Sequence, residues 1–415
     1  MTVFDVVVIG AGIVGIAVAQ ALSRASGVRV TVLERDVGAP HGSTTYAPGF
    51  IGLYNEVPIL TALAQESAAI YEEVGTRFRR SGGLEIATTD AAAASLCRRV
   101  GDARAAGLPA EVLDFSDLPG SVTSFVDGDP VVAAAHFAAD GSVDVPELSG
   151  GIRDRALAEG ACFRYGQEVV GIESRAGGVA VRTAAGSLFA ADAAVLAAGV
   201  WGPALARLVG LHLPLFPVAH PYVYDVSRST RIPGPFVRWP EHHVYSRVHG
   251  DRLGIGSYDH VPVSVSQDDL REGAGLEWSD EFTPVIESAQ RLLRTEATFT
   301  PQRYVNGVFA MTPDNLPFLG RHPEAPNIWI AGALWVTHAA GAADRLAAAM
   351  LTDAELPQEL GVSRFSGANQ ARLHERALRL YRDIYANDVA RSPRGARLEG
   401  AGSRRPSRAS WSSAC

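Results

Sequence analysis

The stretch Asp5 to Arg35, DVVVIGAGIVGIAVAQALSRASGVRVTVLER, constrains this chain more than any other. Its apolar run from Val6 to Ile9 is too short to span a membrane and has the length of a buried parallel strand. Gly10, Gly12 and Gly15 follow at once in GxGxxG spacing, and an alanine-rich apolar helix then runs to about Ala25. A second strand, Val28 to Leu33, ends on Glu34. Strand, glycine turn, helix, strand and terminal acid together make a βαβ unit of the dinucleotide-binding kind. Gly10 permits the tight turn, Gly12 lets the backbone approach a pyrophosphate, and Gly15 lets the helix pack close to the strand. The helix N-terminus offers unpaired N–H groups to the phosphates. Glu34, with Arg35 next to it, stands about twenty residues on, where an acid binds ribose hydroxyls.

Composition narrows the function classes. A chain of 415 residues is too long for one simple core and suits two sequential or interleaved domains. No apolar run reaches the ~18 residues of a membrane helix. No basic region precedes the first apolar run, so no signal peptide is expected and the reading is cytoplasmic. A net charge of −8 makes no electrostatic case for nucleic acid. All 37 basic residues are arginine, which excludes Schiff-base chemistry on a lysine. Cys97, Cys162 and Cys415 show no CxxC pair and no metal-ligand spacing. That pattern fits a reducing compartment without structural disulfides, and no metal site is expected.

Along the chain, RDVGAPHGSTTYAPGFIGLYNE reads as an ordered loop, rich in Gly, Pro, Ser and Thr. A helix is expected from about Pro58 to Arg80, a strand at GGLEIATT, a helix over Asp90 to Ala106 and another from Pro146. CFRYGQEVVGIES reads as a strand. A hairpin follows, then a buried strand from Ala193 to Ala197 that leads to Gly199. From Pro214 to about Pro301, strand-like segments with aromatic and His residues dominate, and α/β texture then returns. Beyond about Asp388 the chain is Arg-, Ser- and Gly-rich and reads as disordered.

The N-terminal fingerprint, GSTTYAPG, DAAVLAAGVWG, PVAHPYVY, HGDRLGIGSYDH, MTPDNLPFLG and ALWVTHAAG resemble, in order and spacing, the D-amino-acid-oxidase-like FAD oxidoreductases. Within that family they are most similar to the flavin module of dimethylglycine oxidase and of the sarcosine and dimethylglycine dehydrogenases. The resemblance implies an α/β fold: a Rossmann-like FAD/NAD(P)-binding domain with an inserted, mostly antiparallel substrate domain. The expected module is 1–388, with nucleotide parts at about 1–90, 140–213 and 303–388, substrate parts at about 91–139 and 214–302, and a disordered tail at 389–415. The chain ends where the family's folate-binding module begins. Free formaldehyde or glyoxylate, rather than methylenetetrahydrofolate, is therefore the expected product. Tyr46 stands where the family usually has a histidine bonded covalently to the flavin, so a non-covalent FAD is expected.

The resemblance also places residues. Besides Gly10, Gly12, Gly15, Glu34 and Arg35, it puts Ser43, Thr44 and Tyr46 in the second loop toward the cofactor, with the Val169 backbone at the adenine. Gly199 follows the strand under the ADP moiety. Trp201 and Trp335 read as apolar walls or as core. Asp314 lies in a loop near the flavin or caps its own turn. Leu334, Trp335, Thr337 and His338 lead into a helix whose N–H groups, from about Thr337 to Gly341, face the flavin N1–C2=O edge. His220 and Tyr258 match substrate-facing positions. An imidazole near its ordinary pKa of ~6.5 can take the proton that an ammonium must lose before it gives up hydride. His260 and His338 rank behind it. A substrate carboxylate calls for an arginine, and Arg238, Arg247 and Arg252 are the candidates, Arg252 reading as a surface residue beside a hairpin turn.

The expected reaction is FAD-dependent oxidation of a secondary or tertiary amine or N-methyl amino acid, sarcosine- or dimethylglycine-like, with O2 or an electron-transfer protein as acceptor. A catalytically silent flavoprotein subunit, an oxidase of another amine in a biosynthetic pathway, and an NAD(P)-dependent dehydrogenase are the rival readings.

Overall fold

A computed structural model describes residues 3–38, 41–75, 78–271, 273–297 and 299–385. The segment 389–415, expected to be disordered, lies outside the described residues, as does Cys415.

Two sheets frame the molecule. The first has six strands, in the order Phe318–Arg321, Ile328–Gly332, Ala193–Leu196, Phe4–Ile9, Val28–Leu33 and Cys162–Arg164. Every pairing is parallel except that of Phe318–Arg321 with Ile328–Gly332. Both faces are covered, which is why the strands read as unbroken apolar runs. Successive side chains point to opposite faces. Val6, Val8, Val30 and Val32 enter a core made with helices Ile13–Ser23, Val145–Ala158 and Ala339–Thr352. Val7, Ile9 and Leu33 pack instead on the three-stranded sheet Val169–Arg175, Gly178–Thr183 and Leu188–Ala191. Each such aliphatic side chain contributes roughly 1.5–3 kcal/mol by burial.

Glycine is required at two points of the first turn. Gly10 has φ +107°, and a Cβ there would lie 2.6 Å from the Ala197 carbonyl oxygen. A Cβ on Gly15 would lie 1.9 Å from the Gly10 oxygen, so only glycine lets the helix sit this close to the strand.

The second sheet has eight strands, in the order Pro301–Met311, Phe216–Asp225, Arg252–Ser257, Val244–His249, Phe236–Trp239, Gly83–Ala87, Ala133–Phe137 and Ala110–Leu113. It is antiparallel but for Phe236–Trp239 beside Gly83–Ala87. Val223, Val237, Trp239, Val244 and Ile255 face one apolar core, which includes Ile286 and Ala289 of helix Thr283–Gln290. The alternate residues Tyr222 and Tyr245 face an aromatic cluster on the other side.

Several local expectations shift. The helix from Pro58 ends at Glu73 rather than near Arg80, because Gly75 turns left-handed at φ +68°. The GSTTY loop contains one helical turn, Ser43–Tyr46, and a short strand, Phe50–Ile51, paired with Gly141–Ser142. CFRYGQEVVGIES is two strands in two sheets, parted at Gly166 with φ +69°. The eight-stranded sheet takes in Gly83–Ala87 and Pro301–Met311, so it reaches beyond the 91–139 and 214–302 segments expected for the substrate part. Cys162 is a free thiol. Among the described residues no helix is long and apolar enough to cross a membrane.

Candidate active site

A cavity of about 480 Å³ lies between the two sheets, with the fingerprint loop at one end and the aromatic cluster at the other. At the first end Gly10, Gly12, Glu34, Arg35, Ser43, Thr44, Val169, Gly199 and Trp201 all line the wall. Glu34 closes onto the loop: its carboxylate accepts the Ala11 N–H at 2.7 Å and the Asp36 N–H at 3.0 Å. Thr44 caps the first helix, its hydroxyl accepting the Ile13 N–H at 3.1 Å. The Ser43 hydroxyl is buried in the wall and has no hydrogen-bond partner among the described residues. The Arg35 guanidinium lies 4.1 Å over the Trp201 ring, whose Nε1–H donates to the Leu270 carbonyl. Gly15 lies behind the wall and serves packing. Bare glycine backbone, a helix N-terminus and an unpartnered buried hydroxyl at one end of a long cavity fit the diphosphate of a dinucleotide.

At the other end His220 and Tyr258 are brought together, their ring centroids 4.5 Å apart. Phe309 lies 4.8 Å from His220 and 5.7 Å from Trp335. Both His220 nitrogens are engaged, Nδ1 with the Tyr381 hydroxyl at 2.6 Å and Nε2 with the Tyr245 hydroxyl at 2.5 Å. Burial, helped by the charge of His260, holds the His220 pKa well below its ordinary 6.5. The expected near-neutral imidazole is therefore replaced by one that stays unprotonated at neutral pH, because no carboxylate offsets its desolvation. Burial, with Tyr385 nearby, keeps Tyr258 a neutral phenol.

Of the three arginines, Arg238 reaches the cavity wall. It alternates with Val237 and Trp239, which point into the opposite core. Its Nη1 lies 3.5 Å from Glu85, which Arg99 approaches to 2.9 Å. Asp140 completes this buried group; its carboxyl accepts the Leu53 N–H at 2.8 Å, and burial pushes its pKa up to about 7. Arg247 is buried but donates to the carbonyls of Gly49 and Val143. Arg252 donates to the Asp225 carbonyl and to Gln302 beside its turn.

The chain matches the FAD dependent oxidoreductase family over residues 5–349. It belongs to that family. Among curated relatives, glycine oxidase of Geobacillus kaustophilus is 27% identical over 353 residues, covering 79% of this chain and 87% of that protein. Mitochondrial dimethylglycine dehydrogenase of Rattus norvegicus is 25% identical over 347 residues, covering 79% of this chain; the chain spans only 40% of that protein's length. The solved L-proline dehydrogenase of P. horikoshii shares the fold, with a TM-score of 0.77 at 22% identity over 88% of this chain and 98% of its own.

The cofactor of this oxidoreductase is FAD, and the remaining expected positions can be located against its cavity. Tyr46 lies on the wall, its ring so close to Gly275 that a Cβ there would meet it at 2.3 Å. Leu334, Trp335, Thr337 and His338 also line the cavity. Thr337 donates to the Phe50 carbonyl at 3.2 Å, and burial lowers the His338 pKa to about 4. The Gly341 N–H, expected to face the flavin, is bonded by the Ser67 hydroxyl at 2.9 Å instead. Asp314 does not line the cavity: it pairs with Arg364 at 2.9 Å and accepts the Leu316 N–H, the turn-capping role. His260 also stands outside the wall and bonds Tyr381. Sequence reasoning missed Tyr245, Tyr381, and Glu85 with Asp140. Tyr381 sits on an amphipathic helix, Gln370–Arg382, and nothing local marks its hydroxyl as a partner of His220.

Proposed function

We propose that this FAD-dependent oxidoreductase oxidises a small secondary or tertiary amino acid of the sarcosine or dimethylglycine kind, releasing an iminium product that water hydrolyses. One observation carries the reading: a partly buried arginine, Arg238, lines the same cavity as an aromatic wall and an unprotonated imidazole. The family relatives named glycine oxidase and dimethylglycine dehydrogenase support it. Gly10, Gly12, Glu34, Ser43 and the N-terminus of the first helix would hold FAD, which supplies a two-electron hydride acceptor.

The protein's own groups then have three tasks. Arg238 binds the substrate carboxylate and sets which C–H bond faces the cofactor. Tyr258, Phe309 and Trp335 exclude water and stabilise a cationic nitrogen through their ring faces. Tyr245 and His220 receive the ammonium proton, freeing the nitrogen lone pair. The terminal acceptor is O2 or an electron-transfer protein.

The test is anaerobic titration of the purified yellow protein with sarcosine, dimethylglycine and glycine. Bleaching by the N-methyl compounds at lower concentration than by glycine supports the reading. A bound flavin that no small amine or amino acid reduces would overturn it and favour a catalytically silent subunit.

A further inference from the structure

We propose that the proton taken from the amine leaves the cavity along a four-residue hydrogen-bond relay, Tyr245–His220–Tyr381–His260, which ends beside the exposed Val261. The relay rests on the amine-oxidation reading for its use, but its hydrogen-bond polarity follows from the geometry alone. His260 Nδ1 lies 2.9 Å from the Val261 carbonyl oxygen. A carbonyl can only accept, so Nδ1 carries the hydrogen, and in neutral His260 the other nitrogen, Nε2, is an acceptor. The Tyr381 hydroxyl, 2.9 Å away, donates to it; the Ala219 carbonyl at 3.1 Å is the weaker acceptor for the same hydrogen. Tyr381 Oη is then free to accept from His220 Nδ1–H at 2.6 Å. His220 Nε2 in turn accepts the Tyr245 hydroxyl at 2.5 Å. Every hydrogen along the path points the same way, from the cavity toward His260.

The two ends differ as a relay needs. Tyr245 and His220 line the cavity, whereas Tyr381 and His260 do not. Tyr381 is fully buried, and His220 and Tyr245 are nearly so. His260 is itself buried, at 8% exposure, but adjoins Val261, which is 76% exposed. Burial lowers the His260 pKa too, but less than it lowers that of His220, because the Val261 carbonyl and the carboxylates of Asp259 and Glu281 favour the charged form against Arg382. His220 faces Tyr245, Tyr258, Tyr381 and Phe309, with no carboxylate among these neighbours. The excess proton therefore rests better on His260 than on His220.

The transfer balances. One N–H bond of the ammonium breaks as a bond to Tyr245 Oη forms. Each hydrogen along the path moves to the next heavy atom, and the final N–H bond forms at His260 Nε2. No electrons change hands, and the amine is left neutral with its lone pair free. Tyr381 and His260 touch no substrate; they act through His220.

Two measurements test this. In the histidine-labelled protein, nitrogen NMR should show both His220 and His260 as the Nδ1–H tautomer, the minor form in free histidine; an Nε2–H tautomer at either site breaks the polarity and overturns the relay. In anaerobic stopped flow with sarcosine, Tyr381→Phe keeps the ring and flavin binding. It should slow flavin reduction at least ~10-fold and shift its pH profile. His260→Ala should be slowed similarly and restored by added imidazole. Reduction at the wild-type rate and pH profile in both variants overturns the proposal. Failure of sarcosine to reduce the wild-type flavin removes the functional reading instead, and the tautomers then decide the relay.

Discussion

Replacing Asp140 with asparagine should stabilise the protein at pH 8 and do so much less at pH 5. Asp140 is 5% exposed and sits beside Glu85, Arg99 and Arg238. Burial raises its pKa from 3.8 to about 7, against the pull of the Leu53 N–H and Arg238. A folded-state value above the unfolded one means the native protein holds the proton to higher pH. Stability is therefore lost as pH rises from about 4 to about 7 and stays lost above that. At ~1.4 kcal/mol for each tenfold change in proton affinity, the loss is about 4 kcal/mol at pH 8 and about 1.6 kcal/mol at pH 5. Asparagine keeps a carbonyl oxygen for the Leu53 N–H and carries no charge. Its advantage over wild type should grow by about 2–3 kcal/mol between the two pH values. With an unfolding entropy of ~2.1 cal/mol/K per residue, that is roughly 3 °C in Tm for a chain this long. Thermal melts of both proteins at pH 5 and 8 measure it. An advantage that is flat or shrinks as pH rises would refute the reasoning.

Other perturbations probe separate parts of the cavity. Gly15→Val puts atoms inside contact distance of the Gly10 oxygen, so the purified variant should carry little or no flavin by absorbance. Arg238→Gln should raise KM for an amino-acid substrate ~10–100-fold, the equivalent of ~1.5–3 kcal/mol for a charge-assisted bond, with a smaller change in kcat. Acid precipitation should leave the flavin in the supernatant; flavin retained in the pellet would point to a bond through Tyr46.

What could be read in the sequence was what neighbouring residues decide. The first thirty-five residues specify their own strand, turn and helix, because Gly10 and Gly15 answer to contacts a few residues away. The pairing of Gly83–Ala87 with Phe236–Trp239 joins segments about 150 residues apart, and no local pattern announces it. The same limit applies to the site. Alternation puts Tyr245 and Arg247 on one strand face, but Arg247 is held by the carbonyls of Gly49 and Val143, while Arg238 turns to the cavity. The His220 imidazole was visible as a residue; its low basicity was not, since that depends on burial by Tyr245, Tyr258 and Tyr381 from three separate elements.

The interleaving of the two sheets has a consequence for synthesis. Ile328–Gly332 lies inside the nucleotide sheet, Pro301–Met311 edges the other, and Tyr381 arrives from a helix later still. A ribosome emits the fingerprint first, yet neither layer can shut until about four-fifths of the polypeptide has emerged. The nascent chain must keep unpaired strand edges shielded through that interval, so expression should respond more to chaperone supply and translation speed than to the strength of the N-terminal unit.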